Sequence, residues 1–298
     1  MRMRRLLIIG FGDVAQRTLP YLRKNYHIYA LTRNKERFAE IRALGVTPLL
    51  GDLDEPKSLN RISGLADLVL HFAPPQNNGK QDKRTRHFLT ALNKSKILPQ
   101  RLVYISTSGV YGDCNGEWVS ESRPAAPKSA RGIRRADAEK VLRAWGRRTG
   151  TSVSILRVPG IYGADRLPIA RLQNQTPALN SDEDCYTNHI HKDDLAHLAT
   201  IALYRGMPCR VYNASDDSMM KMGEYFDLVA DNYGMQRPPR VSREEAKTCI
   251  SPAMLSFMDE SRRLSNTRIK QELRAKLLYP NVAAGIRAAL GSDTAIPE

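Results

Sequence analysis

The sequence predicts an α/β protein built on a doubly wound, parallel sheet. Strand and helix patterns alternate from the start of the chain, which is typical of such sheets. The apolar run Leu6–Ile9 predicts a buried first strand, and a helical pattern over Asp13–Lys24 follows it directly. Further strands are predicted at His27–Thr32, Val46–Leu50, Asp67–Phe72, Arg101–Ile105 and Val153–Arg157.

Helices are predicted between these strands. Asn34 is the expected N-cap of the second helix, and Asp54 is the expected cap of a short helix with Pro56 in its first turn. Longer helical patterns cover Lys35–Ala43, Lys83–Lys94, Ser129–Arg148 and Asp193–Tyr204. Beyond Pro159 prolines separate shorter pieces, so we divide the chain into domains 1–163 and 164–298. This boundary is soft, since a strand at Arg210–Asn213 could return to the first sheet.

Length and composition exclude several classes of protein. The 298 residues suffice for one large domain or two smaller ones, and 42% hydrophobic with 26% charged residues fits a globular protein. No apolar run approaches the length of a membrane span, so we expect no membrane association. The four cysteines lie far apart, without the spacing of a metal or redox pair. We therefore expect reduced thiols and a cytoplasmic protein.

The formal net charge of +15 raises the question of a nucleic-acid partner. The basic residues are scattered along the predicted helices, and the sequence has neither a basic tail nor a nucleic-acid motif. We therefore expect a solvated basic surface, or one that attracts an anionic small molecule, rather than nucleic acid.

The turn after the first strand predicts a dinucleotide site in a Rossmann-like domain. Gly10 allows a tight turn, Gly12 lets the backbone approach a phosphate, and Ala15 still permits close packing of helix on strand. The free N–H groups of the helix N-terminus, at Asp13 and Val14, would face the anion.

The end of the second strand distinguishes the two nicotinamide dinucleotides. An acidic residue there binds the ribose 2′-hydroxyl of NAD, whereas a basic residue accommodates the 2′-phosphate of NADP. The stretch after Ala30 carries Arg33 and no acid, about 20 residues past the glycine turn. Arg33 could also be an ordinary surface residue at a helix start. The sequence favours NADP over NAD as the cofactor.

Four further motifs follow in order along the chain: Gly51-Asp52-Leu53, Ser106–Gly112, Arg157–Gly163 and Asn188–Ala196. Over residues 5–215 this order resembles the extended short-chain dehydrogenase/reductases, the group that contains NAD-dependent epimerases and dehydratases of nucleotide sugars. The resemblance implies that Asp52 and Leu53 border the adenine and that Ala73 lies near the ribose and phosphates. It also implies that Val158 and Pro159 flank the nicotinamide.

The same resemblance places Thr107 where the family has a Ser or Thr that hydrogen-bonds the reacting oxygen, and His189 in the substrate cleft. The sequence departs from the family at its catalytic helix, which normally carries Tyr-x-x-x-Lys with a Glu four residues later. Counting back from Glu139 puts Arg131 at the Tyr position and Arg135 at the Lys position. The chain thus looks like an atypical member that keeps the cofactor fold without the standard pair. Its glycine turn also differs from the family's Gly-x-x-Gly-x-x-Gly.

Arginine stays protonated at neutral pH and cannot replace the tyrosine as an acid–base. Arg131 could bind an anionic group or stabilise developing negative charge, and Arg135 could hydrogen-bond the nicotinamide ribose. Four loop residues are weaker candidates for the proton donor: Tyr111, Tyr162, Tyr186 and His189. We expect no metal, because His189 and His191 lack a defined third ligand. The stretch Glu260–Arg263 fits surface or inter-segment ion pairs better than chemistry.

Two functions remain open. One is an oxidoreductase-type enzyme that uses NADP or NAD on a polar, nucleotide-linked or otherwise anionic metabolite with a non-standard catalytic site. The alternative is a non-catalytic protein that senses the redox state of the dinucleotide and passes it to a partner. Either could form a homodimer.

Overall fold

A computed structural model describes residues 3–293 of the chain. Seven parallel strands form its central sheet: β1 (Arg4–Ile9), β2 (Tyr26–Thr32), β3 (Thr47–Leu50), β4 (Leu68–His71), β5 (Arg101–Thr107), β6 (Ser152–Val158) and β7 (Arg210–Asn213). The strand order is β7-β6-β5-β4-β1-β2-β3, which confirms the predicted doubly wound α/β sheet. The order reverses between β1 and β4, where such sheets bind their ligands beyond the carboxyl ends of the strands.

Twelve α-helices surround the sheet or follow it in the described part of the chain: α1 (Asp13–Arg17), α2 (Leu19–Leu22), α3 (Phe38–Ala43), α4 (Lys83–Leu92), α5 (Ala130–Thr149), α6 (Ile169–Gln173), α7 (Lys192–Arg205), α8 (Met222–Asn232), α9 (Arg243–Cys249), α10 (Pro252–Met258), α11 (Thr267–Gln271) and α12 (Val282–Asp293). Short 3₁₀ turns cover Lys35–Arg37, Pro56–Ile62, Ser108–Tyr111 and Ala164–Arg166. None of these helices has the length and apolar content needed to cross a bilayer.

The sheet is buried on both faces because successive side chains of a strand point to opposite sides. Leu6 and Ile8 of β1 join the core that packs under α1, α2 and α7. Leu7 and Ile9 join the opposite core, under α4 and α5. This alternation explains why β1 reads as a continuous apolar run in the sequence.

Residues beyond 163 build smaller layers and also complete the sheet. β7 pairs in parallel with β6, with Val211 opposite Ile155. Eight short strands form two-residue or three-residue pairings outside the sheet: Trp118–Val119, Gly160–Tyr162, Ala178–Leu179, Tyr186–Thr187, His189–His191, Met220–Lys221, Arg240–Val241 and Arg263–Leu264. A separate apolar core lies between α6, α8 and α12.

Two local predictions are wrong. The helix predicted over Asp13–Lys24 is divided at Thr18 into α1 and α2, because the Pro20 ring has no N–H to continue the ladder. Asp54 does not cap the next turn, since Glu55 precedes the 3₁₀ segment and its side chain makes no capping bond. The predicted Asn34 cap is confirmed, as its side-chain oxygen accepts the Glu36 N–H at 2.8 Å.

Candidate functional site

A groove runs along the carboxyl ends of the central strands and consists of three adjoining cavities. The outer cavity measures about 290 Å³, the middle one about 260 Å³ and the inner one about 180 Å³. Pro74 lines both the outer and the middle cavity. Thr107 and Arg131 line both the middle and the inner cavity. The groove is therefore continuous from the glycine turn after β1 to the segment that follows α10.

The glycine turn forms the floor of the outer cavity. Gly10 has a φ of +87°, and a Cβ atom there would lie 2.6 Å from the backbone nitrogen of Ala73. Only glycine satisfies both constraints. At Gly12 a Cβ would have no heavy atom within 4 Å, so the space beside this backbone is open. A ligand phosphate can approach the chain at this position.

Asp13 and Val14 follow the turn as the first residues of α1. The Asp13 carboxylate accepts hydrogen bonds from Arg17 Nε at 2.8 Å and from Arg166 Nη2 at 3.0 Å. These two cations offset its negative charge beside the turn. Val14 packs against the sheet core, so its side chain is directed away from a ligand. Both residues can face an anion only through their backbone N–H groups.

Arg33 and Arg84 bring positive charge to the far end of the outer cavity, beside Asp52, Leu53 and Ala73. Arg33 is exposed and makes no hydrogen bond or ion pair with residues 3–293. Arg84 binds both carboxylate oxygens of Asp54, at 2.8 and 2.5 Å. Arg33 is thus the guanidinium available to a ligand at this end.

Arg135 lies on α5 and lines the middle cavity. Its Nη1 donates to the carbonyl oxygen of Ile105 at 2.5 Å and to the Tyr104 hydroxyl at 3.0 Å. Burial raises the pKa of Tyr104 to about 12, so this hydroxyl stays protonated. The guanidinium of Arg135 is consequently held against the end of β5, facing the centre of the groove.

Thr107 ends β5 at the junction of the middle and inner cavities. Its hydroxyl oxygen accepts the N–H of Gly109 at 3.2 Å, as the N-cap of the following 3₁₀ turn. A hydroxyl that accepts one hydrogen bond still has its own proton to donate. The structure therefore orients Thr107 and leaves its O–H available to a bound oxygen atom.

Arg131 is one turn before Arg135 on α5 and faces the inner cavity. Its Cζ lies 3.5 Å from the ring centroid of Phe257, a cation–π contact. Burial lowers the pKa of Arg131, while attraction by Glu260 raises it and repulsion by Arg262 lowers it further. Since the ordinary pKa of an arginine side chain lies far above neutral, the group remains a cation at neutral pH.

Glu260 and Arg262 form the opposite wall of the inner cavity. Arg262 Nη2 lies 2.9 Å from the Glu260 carboxylate, and its Nη1 donates to the Gly112 carbonyl at 2.6 Å. Both side chains are only about a tenth exposed. The sequence predicted surface or inter-segment ion pairs for this stretch, whereas the observed pair lies within the stretch and is buried at the groove.

A second buried ion pair, between Glu139 and Arg157, holds together the elements that carry the site. Glu139 on α5 accepts two hydrogen bonds from Arg157 on β6, at 3.1 and 2.8 Å, and one from Ser106 at 2.6 Å. Burial opposes the charge on Arg157, but hydrogen bonds and Coulomb attraction from Glu139 outweigh it and raise the pKa of Arg157. The pair ties the helix that carries Arg131 to β6, which ends just before Pro159, and Ser106 ties the same helix to β5, which carries Thr107.

The structure does not place every predicted residue in the groove. His189 is 4% exposed, and its ring centroid lies 4.3 Å from that of Tyr225. It pairs with Gly160 of the cavity wall but does not itself line the inner cavity. Burial lowers its pKa to about 4, so it is neutral at physiological pH. Its neighbours Thr187 and Asn188 line the cavity instead. Pro159 lines the inner cavity, whereas Val158 is buried in the sheet core.

The tyrosines considered as proton donors also differ in their position relative to the groove. Tyr111 is buried and donates to Asn213 Oδ1 at 2.7 Å, and Tyr162 is buried with its hydroxyl on the Asn281 carbonyl at 3.2 Å. Tyr186 lines the inner cavity, with Arg263 Cζ 4.8 Å from its ring centroid. Among residues 3–293, no group of three or more His, Cys, Asp or Glu side chains is arranged to hold a metal ion.

Sequence reasoning missed Phe257 and Arg84 and did not assign Glu260 or Arg262 to the site. The local sequence patterns that predict turns, strands and helices give no signal for these four residues, because the residues reach the groove only through tertiary packing. Arg84 lies on the exposed side of a helix pattern, and Phe257 lies in a short helix far along the chain.

The fold and the groove define an α/β dinucleotide-binding protein of the short-chain dehydrogenase/reductase type. Residues 6–215 match the NAD dependent epimerase/dehydratase family, and the chain belongs to this family, as its motifs predicted. The family is NAD-dependent and includes dehydratases and epimerases.

Similar proteins differ in what they do. The chain is 26% identical to a 4-hydroxy-2-methyl-3-oxo-4-farnesyl-3,4-dihydroquinoline-1-oxide ketoreductase of Stigmatella aurantiaca, over 78% of this chain and 74% of the relative. A conserved protein of unknown function from Silicibacter pomeroyi has a structure 27% identical in sequence, with a TM-score of 0.78 over 97% of this chain and 99% of the other. A DesIV double mutant, a dTDP-glucose 4,6-dehydratase from Streptomyces venezuelae solved with NAD bound, shares the fold at 21% identity, with a TM-score of 0.74 over 95% and 96% of the two chains.

Proposed function

We propose that this protein is an NADP(H)-dependent oxidoreductase that acts on a polar, anionic metabolite in the inner cavity. The observation that supports the proposal best is the continuous groove. It joins a glycine turn and an unpaired arginine at one end to Thr107 and Arg131 at the other. A dinucleotide has this extended shape, with phosphates near its middle and a reactive ring at one end.

The residues present fit such a cofactor. Gly10 and Ala73 bring the backbone close together, and the open space at Gly12 admits the pyrophosphate. Asp52 and Leu53 border the position of the adenine, and Arg33 is free to bind a 2′-phosphate. Arg135 is placed to hydrogen-bond the ribose of the nicotinamide, which Pro159 would flank. When bound, the cofactor supplies or accepts a hydride.

Thr107 and Arg131 then stabilise the substrate. The Thr107 hydroxyl donates to the reacting oxygen, where negative charge develops when a carbonyl is reduced, and Arg131 binds the anionic group of the substrate. Both groups are held before the substrate arrives, Thr107 by Gly109 and Arg131 by Phe257. Neither transfers a proton at neutral pH, so their role is orientation and charge stabilisation, and the reduced oxygen takes its proton from solvent water in the open groove.

Replacing Arg33 by aspartate is expected to weaken NADP⁺ binding by about 10- to 100-fold, since a hydrogen bond between charged groups contributes roughly 1.5–3 kcal/mol. NAD⁺ binding should stay the same or improve, because a carboxylate can accept from its ribose hydroxyl. Titration calorimetry with both dinucleotides measures this. Lys35→Asp makes the same charge change two residues away on an exposed side chain and is the control. Equal losses in the two variants, or a wild-type preference for NAD⁺, would contradict the assignment of Arg33.

Thr107→Val removes the hydroxyl with little change in volume, and we expect it to slow hydride transfer about 10- to 100-fold through the loss of one hydrogen bond to a developing charge. Single-turnover oxidation of NADPH against a panel of carbonyl compounds, followed by stopped-flow absorbance, gives the rate. NADPH binding should be nearly unchanged. If wild-type protein binds NADPH but oxidises it with no compound of the panel, the non-catalytic sensor becomes the better explanation.

A further inference from the structure

Four arginines surround the inner half of the groove: Arg131, Arg134, Arg135 and Arg262. Three of them donate hydrogen bonds to protein acceptors, although Arg135 uses only Nη1 for this and still faces the middle cavity. Arg135 donates to the Ile105 carbonyl, and Arg134 donates to the Gly79 carbonyl at 3.0 Å. Arg262 is paired with Glu260. These three guanidinium groups hold segments of the protein together.

Arg131 differs from the other three. Within residues 3–293 it makes no hydrogen bond and no ion pair within 4 Å, and its contact is the face of Phe257. Stacking occupies one face of the guanidinium and leaves its N–H donors, which lie in the plane, free for a ligand. A half-buried guanidinium with unused donors is a binding site for a planar, bidentate anion such as a carboxylate.

The charge of the cavity limits the charge of the ligand. Glu260 and Arg262 neutralise each other, so the residues that line the inner cavity carry a net charge of +1, which is that of Arg131. One negative charge on a ligand is therefore enough to neutralise the inner cavity. The inner cavity measures about 180 Å³, below the roughly 300–1,000 Å³ of sites for drug-sized ligands. It fits a short metabolite better than a nucleotide-linked sugar.

We propose that the substrate is a short, singly charged hydroxy- or oxo-carboxylate. Its carboxylate binds Arg131 beneath the Phe257 ring, and its hydroxyl or carbonyl oxygen meets Thr107. This inference rests on the proposed function and narrows it, because it names the class of substrate for the same site. It also assigns Phe257 a role: its ring, itself 52% exposed, covers one face of the guanidinium and orients the N–H donors of Arg131 towards the ligand.

The test compares lactate with lactamide, two probes with the same number of non-hydrogen atoms and different charge. Calorimetry is performed on protein saturated with NADP⁺, after the NADP⁺ titration itself. Wild-type protein should bind lactate at least about tenfold more tightly than lactamide, which corresponds to roughly 1.4 kcal/mol. Arg131→Gln should remove this preference. Arg147→Gln, the same change at an exposed position of α5, should keep it.

Arg131→Lys provides a second variant. It keeps the charge and loses the planar pair of donors, so part of the preference should remain. The inference is overturned if wild-type protein does not prefer lactate, if the preference survives in Arg131→Gln, or if UDP-glucose binds more tightly than lactate through Arg131. If wild-type protein binds NADP⁺ normally but does not prefer lactate, the substrate class alone is overturned. Failure of NADP⁺ binding overturns the proposed function, and the same lactate and lactamide titrations without cofactor then decide the inference.

Discussion

Replacing Glu139 by glutamine is expected to lower the free energy of unfolding by about 3–5 kcal/mol. The substitution leaves the guanidinium of Arg157, which is 3% exposed, without its counter-charge. Water cannot solvate it, and the Tyr111 ring 4.5 Å away is a weak substitute for a carboxylate. Urea denaturation followed by circular dichroism measures the loss.

Two controls separate the buried charge from other effects. Replacing both partners, Glu139→Leu with Arg157→Met, should recover much of the stability, because it removes the charge that the single variant leaves unpaired. Asp231→Asn breaks the exposed pair between Asp231 and Arg237 and should leave stability nearly unchanged. A Glu139→Gln variant as stable as wild type would show that the pair is solvated or replaceable.

Gly10→Ala is expected to lower both stability and cofactor binding, whereas Gly12→Ala is expected to lower cofactor affinity alone. At Gly10 the positive φ costs roughly 1–2 kcal/mol for an L-residue, and the overlap with the Ala73 backbone adds to it. We expect a loss of about 3–5 kcal/mol of stability for Gly10→Ala, and cofactor binding should be lost with the shape of the turn. Thermal unfolding and NADP⁺ calorimetry on the same samples measure the two quantities.

Gly12→Ala is the matched variant, because its added methyl meets no protein atom within 4 Å. Its stability should stay close to that of wild type, since φ at this position is −99°. Its NADP⁺ affinity should nevertheless fall about tenfold or more, because the methyl occupies the space through which the phosphate approaches the backbone. Unchanged NADP⁺ affinity in Gly12→Ala would place the pyrophosphate elsewhere.

Local patterns in the sequence were sufficient to predict the central architecture. The apolar run of β1 and the two glycines after it define a strand and a turn through short-range geometry, and these features are present. The break at Thr18 was not predicted, because the helical pattern continues across Pro20. The energetic cost of a proline depends on whether its position in the helix requires a backbone N–H donor.

The candidate site was predictable where motifs border the sheet and unpredictable where the far half of the chain closes over it. Thr107 and Arg131 line one cavity, as their positions after β5 and on the following long helix suggested. Phe257 contacts Arg131 across more than a hundred residues of sequence, and no periodicity connects the two. His189 shows the opposite case, because Asn188, just before the short strand His189–His191, lines the cavity while His189 is buried in the interior.

The edge strand of the sheet has a consequence for biosynthesis. β6 ends at residue 158, and the strand that covers its outer edge begins only at residue 210. While the chain emerges from the ribosome, the backbone N–H and C=O groups on the outer edge of β6 therefore remain unpaired. A nascent chain stalled near residue 163 would display an open parallel edge, the kind of surface that chaperones protect and that pairs with neighbouring chains. The inner strand β6 thus gains its second neighbour only after residues 210–213 have been synthesised.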